Sequence, residues 1–143
     1  MSDRYLFKAK RVNNGEREIG SLIALPTGEY EISNKCNNPP DCEPMWDKVV
    51  ITHKVDPTTI CQCTGLKDKN GNLIWENDIV KDEQGNLYKA FWQSNYYQFS
   101  WVCVKSEIFL IGAKWDLWRF KSSEIEVVGN IFDNPELLES EEQ

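Results

Sequence analysis

Four cysteines, Cys36, Cys42, Cys61 and Cys63, with the single histidine His53 between the two pairs, are the residues best suited by type to hold a metal ion. Structural zinc sites use two knuckles with two to four residues between the cysteines. Here Cys61-Gln62-Cys63 is too close, and Cys36 and Cys42 sit in a proline-rich loop. On a strand Cys61 and Cys63 face one side and serve as small core residues, so no metal is expected. His53 precedes Lys54 in a strand-like segment with no nucleophile arrangement and no G-x-S-x-G, which predicts a solvent-facing strand histidine. Glu76 and Asp78 are two apart and would share a strand face, but a polar face explains them as well as an acid/base pair does. Asp68, Asn70 and Asn72 have the spacing of the first three calcium ligands of an EF-hand. Leu73 then stands where that loop needs Gly, and Ile79 where it needs Glu. Neither a G-x-G-x-x-G nor a P-loop pattern occurs. The expectation is a chain with no catalytic residue, no cofactor and no metal.

Binding is the remaining kind of chemistry. Aromatics make up 12% of the chain, and Trp92, Tyr96, Tyr97, Phe99 and Trp101 crowd into one segment. Such residues can stack on bases. The net charge of −7, from 16 basic and 23 acidic residues, argues against a phosphate backbone as partner. Packing in a β-core or a contact between subunits fits the charge better, which makes these five the candidate interface aromatics of a homo-oligomer. The segment Glu136–Gln143 concentrates acidic residues in a tail.

The elements that position these residues read as strands. Leu6–Val12, Ile19–Leu25 and Tyr30–Ser33 are strand-like, separated by the turns "NNGE" and "PTGE". Asn34–Asp47, with three prolines, reads as a loop, and Val49–Thr52 as a strand. Asn70-Gly71 signals a hairpin, with either a type I′ turn or a longer turn carrying Gly71 in a G1 bulge. "EQGN" (Glu83–Asn86) makes the next turn, and Leu87–Trp92 pairs with Phe99–Val104. Ile108, Ile111, Trp115 and Trp118 recur at helical spacing, which favours a short amphipathic helix over a strand in Ile108–Phe120, although Gly112 opposes it. Ile125–Val128 is a last strand and "DNPELLES" a terminal helical turn. "MSDRYLFKAKRV" has no long apolar core of a signal peptide, and no run approaches the roughly 18 apolar residues of a membrane span. An odd set of five cysteines suits free thiols in a reducing cytoplasm.

Two blocks carry a resemblance. "QCTGLKDKNGNLIWENDIV" (Gln62–Val80) and "EIEVVGNIFDNPELLE" (Glu124–Glu139) resemble the YopX family of phage and prophage proteins. The family patterns are roughly Q-[YF]-T-G-L-x-D-K-N-G-x-x-I-[YFW]-E-G-D-I-V and V-I-G-N-I-[YF]-E-N-P-E-L-L. Cys63 departs from an aromatic, and Asn77 from a Gly, in these patterns. Asn is the next residue most tolerant of positive φ, so Asn77 predicts a left-handed turn. The resemblance implies a small β-rich phage-encoded protein of the host cytoplasm, and it brings no catalytic residues with it. Gly65, Asn70, Gly71, Asn77 and Gly129 are read as structural turn positions. The expected fold is mainly β, a small curved antiparallel sheet or SH3-like barrel with one or two short helices. It forms a single domain that divides into lobes 1–59 and 60–143. The expected function is non-enzymatic protein binding or self-assembly, ahead of a nucleic-acid-associated module and of a metal-dependent enzyme.

Overall fold

Short apolar runs broken every few residues by Gly, Asn, Asp and Pro leave room for little besides strands and tight turns. A computed structural model of the chain, describing residues 6–35 and 50–142, shows eleven strands in two antiparallel sheets. Its helical segments are all short 3-10 turns among the described residues. Neither sheet closes into a barrel, so the SH3-like alternative is not taken. The chain divides into two compact units, Asp3–Gln62 and Cys63–Gln143.

In the N-terminal unit β1 (Phe7–Lys10), β2 (Arg17–Ala24), β3 (Tyr30–Lys35) and β4 (Val50–Val55) follow one another as an antiparallel meander. Gly15 and Gly28 supply positive φ at the first two turns. The meander curls until Arg11 bridges Val55 beyond the end of β1, with Asp56 N–H donating to Lys10 O at 2.8 Å. Ala9, Ile32 and Val55 are buried inside the curl, with Phe7, Leu22, Tyr30 and Ile60 against them. Asp56 caps the 3-10 turn Pro57–Thr59, its carboxylate accepting from the Thr58 N–H and hydroxyl. β5 (Cys61–Lys67) starts here, Cys61 and Gln62 pairing with β1, and runs on into the C-terminal unit.

In the C-terminal unit the remainder of β5 pairs with β6 (Leu73–Trp75). A five-stranded sheet follows in the order β10-β9-β8-β7-β11, from β7 (Asp78–Lys81), β8 (Leu87–Gln93), β9 (Gln98–Lys105), β10 (Lys114–Asp116) and β11 (Glu126–Asn130). Both faces of this sheet are covered. Tyr88, Ala90, Trp101 and Cys103 pack with Ile74, Val80 and Ile125 on one face, by the strict alternation of a pleated strand. Ile79, Leu87 and Val104 lie under Ile131, Leu137 and Leu138 on the other, the last two from the 3-10 segment Pro135–Glu142.

Two turns of this unit share the sequence D-x-x-G-N and one hydrogen-bond scheme. Gly71 N–H donates to Asp68 O at 3.0 Å and Asp68 N–H to Asn72 O at 2.8 Å, with Gly71 at φ +85°. Asn70 has no positive φ, so the hairpin takes the G1-bulge form rather than type I′. Asp68 Oδ1 accepts from the N–H groups of Asn70 and Asn72, both at 2.9 Å. Asp82-Glu83-Gln84-Gly85-Asn86 repeats this with Gln84 and Asn86 as donors. In each turn the second carboxylate oxygen reaches outward, Asp68 Oδ2 to Val127 N–H and Asp82 Oδ2 to the Tyr88 hydroxyl, both at 2.9 Å.

The amphipathic helix expected for Ile108–Phe120 does not form. Gly112 takes φ +93°, Cys103 N–H donates to Ala113 O, and Lys114–Asp116 continues as β10 against β9. Backbone pairing to an existing strand outweighs a four-residue apolar spacing broken by Gly. Ile108, Leu110 and Trp118 consequently stand exposed, while Trp115 packs against Tyr88.

Asn77 occupies the corner between β6 and β7 at φ +73°. Its N–H donates to Ala90 O at 2.7 Å and its carbonyl accepts Ile131 N–H at 3.2 Å. Asn77→Gly is therefore expected to be neutral or stabilising and Asn77→Val to cost about 1–2 kcal/mol, read from thermal midpoints.

Burial alone would raise the Asp68 and Asp82 carboxyls, but the hydrogen bonds each accepts hold both below the ordinary value of 3.8. A depressed folded value contributes stability that is present above pH 3.8 and lost as pH falls through the lower folded value. Asp68→Asn is expected to flatten that acid limb in pH-dependent denaturation. Asp68→Ala, which strands buried donors, is expected to cost about 2–3 kcal/mol at neutral pH.

Candidate functional site

Most residues of chemically suggestive type are committed to structure. Cys61 and Cys63 are buried, and Cys61 Sγ donates to Thr59 O at 3.5 Å. Cys36 and Cys42, and most of the loop Asn34–Asp47, lie outside the described residues. Cys103 is also a buried thiol, its proton held on by burial. Asp78 is buried and accepts Trp75 N–H at 2.8 Å, closing the turn "WEND". Glu76 stands in that turn, not on a strand, so the two carboxylates do not share a strand face.

His53 is not the solvent-facing histidine expected. Its side chain is half-buried, with Nε2 facing Arg11 Nη2 at 3.3 Å and Glu18 Oε2 at 3.9 Å. Arg11 also hydrogen-bonds and ion-pairs with Glu18, a carboxylate buried on β2. Arg11 and His53 are distant in sequence, and no local spacing signals their meeting.

The five clustered aromatics separate. Trp101 is fully buried and Phe99 nearly so, so both belong to the core and not to an interface. Phe99 anchors Trp92, its ring 5.1 Å from the Trp92 ring in a T-shaped contact. Tyr96 and Tyr97 occupy the tip of the β8–β9 hairpin and are 67% and 82% exposed. Tyr97 holds φ +53°, a left-handed backbone that costs a bulky residue about 1 kcal/mol or more. Of the positions read as turns, Gly65 and Gly71 share the left-handed sign with Asn77. Gly129 does not. A Cβ there would lie 2.5 Å from Asn134 Oδ1, so a close approach, not φ, requires glycine.

Beside the hairpin tip lies a groove of about 570 Å³. Tyr96, Gln93 and Gln98 of the hairpin form one side. Trp115, Trp118 and Arg119, with Lys114 and Asp116, form the other. Trp118 is 80% exposed. Polar contacts pre-set the floor: Gln98 Nε2 donates to Asp116 Oδ1 at 2.7 Å, and Trp118 Nε1 donates to Asp116 Oδ2 at 3.1 Å. Ser100 Oγ donates to Gln93 Oε1 at 2.8 Å. A concave surface with aromatic walls, satisfied amides and two cations is suited to binding. The helical reading of Ile108–Phe120 gave no sign of it, because the groove depends on Lys114–Asp116 pairing with β9.

No group of three or more His, Cys, Asp or Glu side chains is arranged to hold a metal ion among the described residues. None of their helices is long and apolar enough to cross a membrane. In comparison with known families, the model of the YopX protein family matches residues 18–139. The comparison with curated proteins finds no match.

Tyr97→Gly removes the left-handed penalty together with the exposed ring. Its expected effect is a gain of about 1 kcal/mol in chemical denaturation, against a loss for the same change at buried Trp101.

Proposed function

The chain belongs to the YopX protein family, and on that footing we propose that it is a phage-type accessory protein of the host cytoplasm. It acts by binding protein, a second copy of itself included, and not by catalysis. The observation that carries this reading is the exposed aromatic tip. Tyr96 and Tyr97 are kept in water, Tyr97 at a backbone cost, next to a groove walled by exposed Trp118. A strained exposed residue with no packing role points to a use outside the molecule, and Tyr and Trp dominate the centres of protein interfaces. The acidic charge of the chain supports a protein partner over nucleic acid.

Sedimentation velocity of the full chain tests it. The wild type is expected to sediment as an oligomer at about 100 µM, and a Tyr96→Ser, Tyr97→Ser, Trp118→Ser variant as a monomer with an unchanged far-ultraviolet circular dichroism spectrum. A monomeric wild type, or an oligomer indifferent to the three changes, overturns self-association through this surface.

A further inference from the structure

We infer that the groove beside β10 receives a strand: an extended, acidic peptide segment of a protein partner, paired to the open edge of β10 and clamped by Lys114 and Arg119. The inference rests on the protein-binding reading above and adds the form and charge of the bound segment.

Three observations support it. Among the described residues, β10 ends its sheet and has β9 as its sole strand partner. Cys103 N–H donates to Ala113 O and Cys103 O accepts Gly112 N–H, a bulged hydrogen-bonded position that sets the parity of the ladder. By antiparallel alternation Trp115 and Trp101 form the next hydrogen-bonded pair, while Lys114 and Asp116 turn their backbone N–H and C=O away from β9. These outward groups are what an added strand needs.

The second observation is the path of the groove. Lys114, Trp115 and Asp116 all line it, although successive side chains of a strand point to opposite faces. A groove touching all three runs along the edge of the strand. Short edges carrying a lysine ordinarily discourage pairing. This one lies in a concavity flanked by Tyr96 and Trp118, which can cover the apolar side chains of a bound segment.

The third is charge. Asp116 is engaged by Gln98 and Trp118, so its carboxylate already has donors. Arg119 lies over the Phe120 ring at 5.1 Å, and Lys114 Nζ faces only the Gly112 carbonyl at 3.4 Å. Neither cation meets a carboxylate within salt-bridge distance among the described residues. Lys114 and Arg119 outnumber the groove's one carboxylate, Asp116, and this local positive excess in a chain of net charge −7 favours a carboxylate-bearing ligand.

Calorimetric titration of the full chain with capped six-residue peptides provides the test. The probes are an alternating Glu–Val peptide, its Lys–Val counterpart, and a Glu–Val peptide with a central proline. The Glu–Val peptide is expected to bind. The Lys–Val peptide is expected to bind at least about tenfold more weakly. The proline peptide, which lacks a pairing N–H, is expected to weaken by a similar factor. A Lys114→Gln, Arg119→Gln variant should lose about tenfold for Glu–Val at an unchanged thermal midpoint. Equal affinity for the Glu and Lys peptides, indifference to proline, or no binding at about 1 mM overturns the inference. Tighter binding of a ten-nucleotide oligothymidine than of Glu–Val also overturns it, in favour of a nucleic-acid ligand. An oligomer that dissociates on substitution of Tyr96, Tyr97 and Trp118 while no peptide binds overturns the strand alone. Peptide binding by a monomeric chain overturns self-association alone.

Discussion

One carboxylate ties the two most characteristic stretches of this chain together. Asp68 accepts two backbone N–H groups from its own turn and a third from Val127, a residue of β11. Lys69 N–H meets Ile125 O beside it, and β7 pairs with β11 along the same seam. Buried carboxylates survive only when fully hydrogen-bonded. The turn and β11 must therefore be in place together. The blocks Gln62–Val80 and Glu124–Glu139 are the two sides of one junction, which gives them an architectural role.

Asp82 does the corresponding work at the next turn, and its effect propagates. Its carboxylate binds Asn86 and the Tyr88 hydroxyl, and Asn86 Oδ1 accepts from Ser106 Oγ. Ser106 Oγ in turn accepts the N–H groups of Ile108 and Phe109, fixing the start of the loop that leads to β10. Burial and the bond to Asp82 hold the Tyr88 proton on, well above the usual phenol range. The groove thus stands on a relay of polar contacts that begins in a tight turn, far from the aromatic residues that give it its surface.

Much of this was legible in the sequence. Asn70-Gly71, "EQGN" and the pairing of Leu87–Trp92 with Phe99–Val104 were legible because local backbone chemistry and a period of two determine them. Asn77 was legible through the resemblance, as a residue tolerant of positive φ standing where the family pattern has Gly. The two D-x-x-G-N turns went unrecognised in the sequence, because their likeness lies in what the second carboxylate oxygen touches, which is a tertiary fact. Ile108–Phe120 misled because four apolar residues matched a helical period by coincidence, and pairing to β9 decided the outcome. The separation of buried Trp101 from exposed Tyr97 needed the position of the hairpin tip. The contact of His53 with Arg11 and Glu18 had no local signature at all.

The Asn70-Gly71 turn also bears on how the protein ages. Asn followed by Gly is the dipeptide most prone to deamidation, because the glycine nitrogen attacks the asparagine side chain to form a cyclic imide. Here the Gly71 N–H is engaged by Asp68 O, and the Asn70 N–H by the Asp68 carboxylate. Attack requires that the turn first let go. The carboxylate that joins the two blocks is thereby also a chemical guard, and the lifetime of this exposed amide is set by how often the hairpin opens.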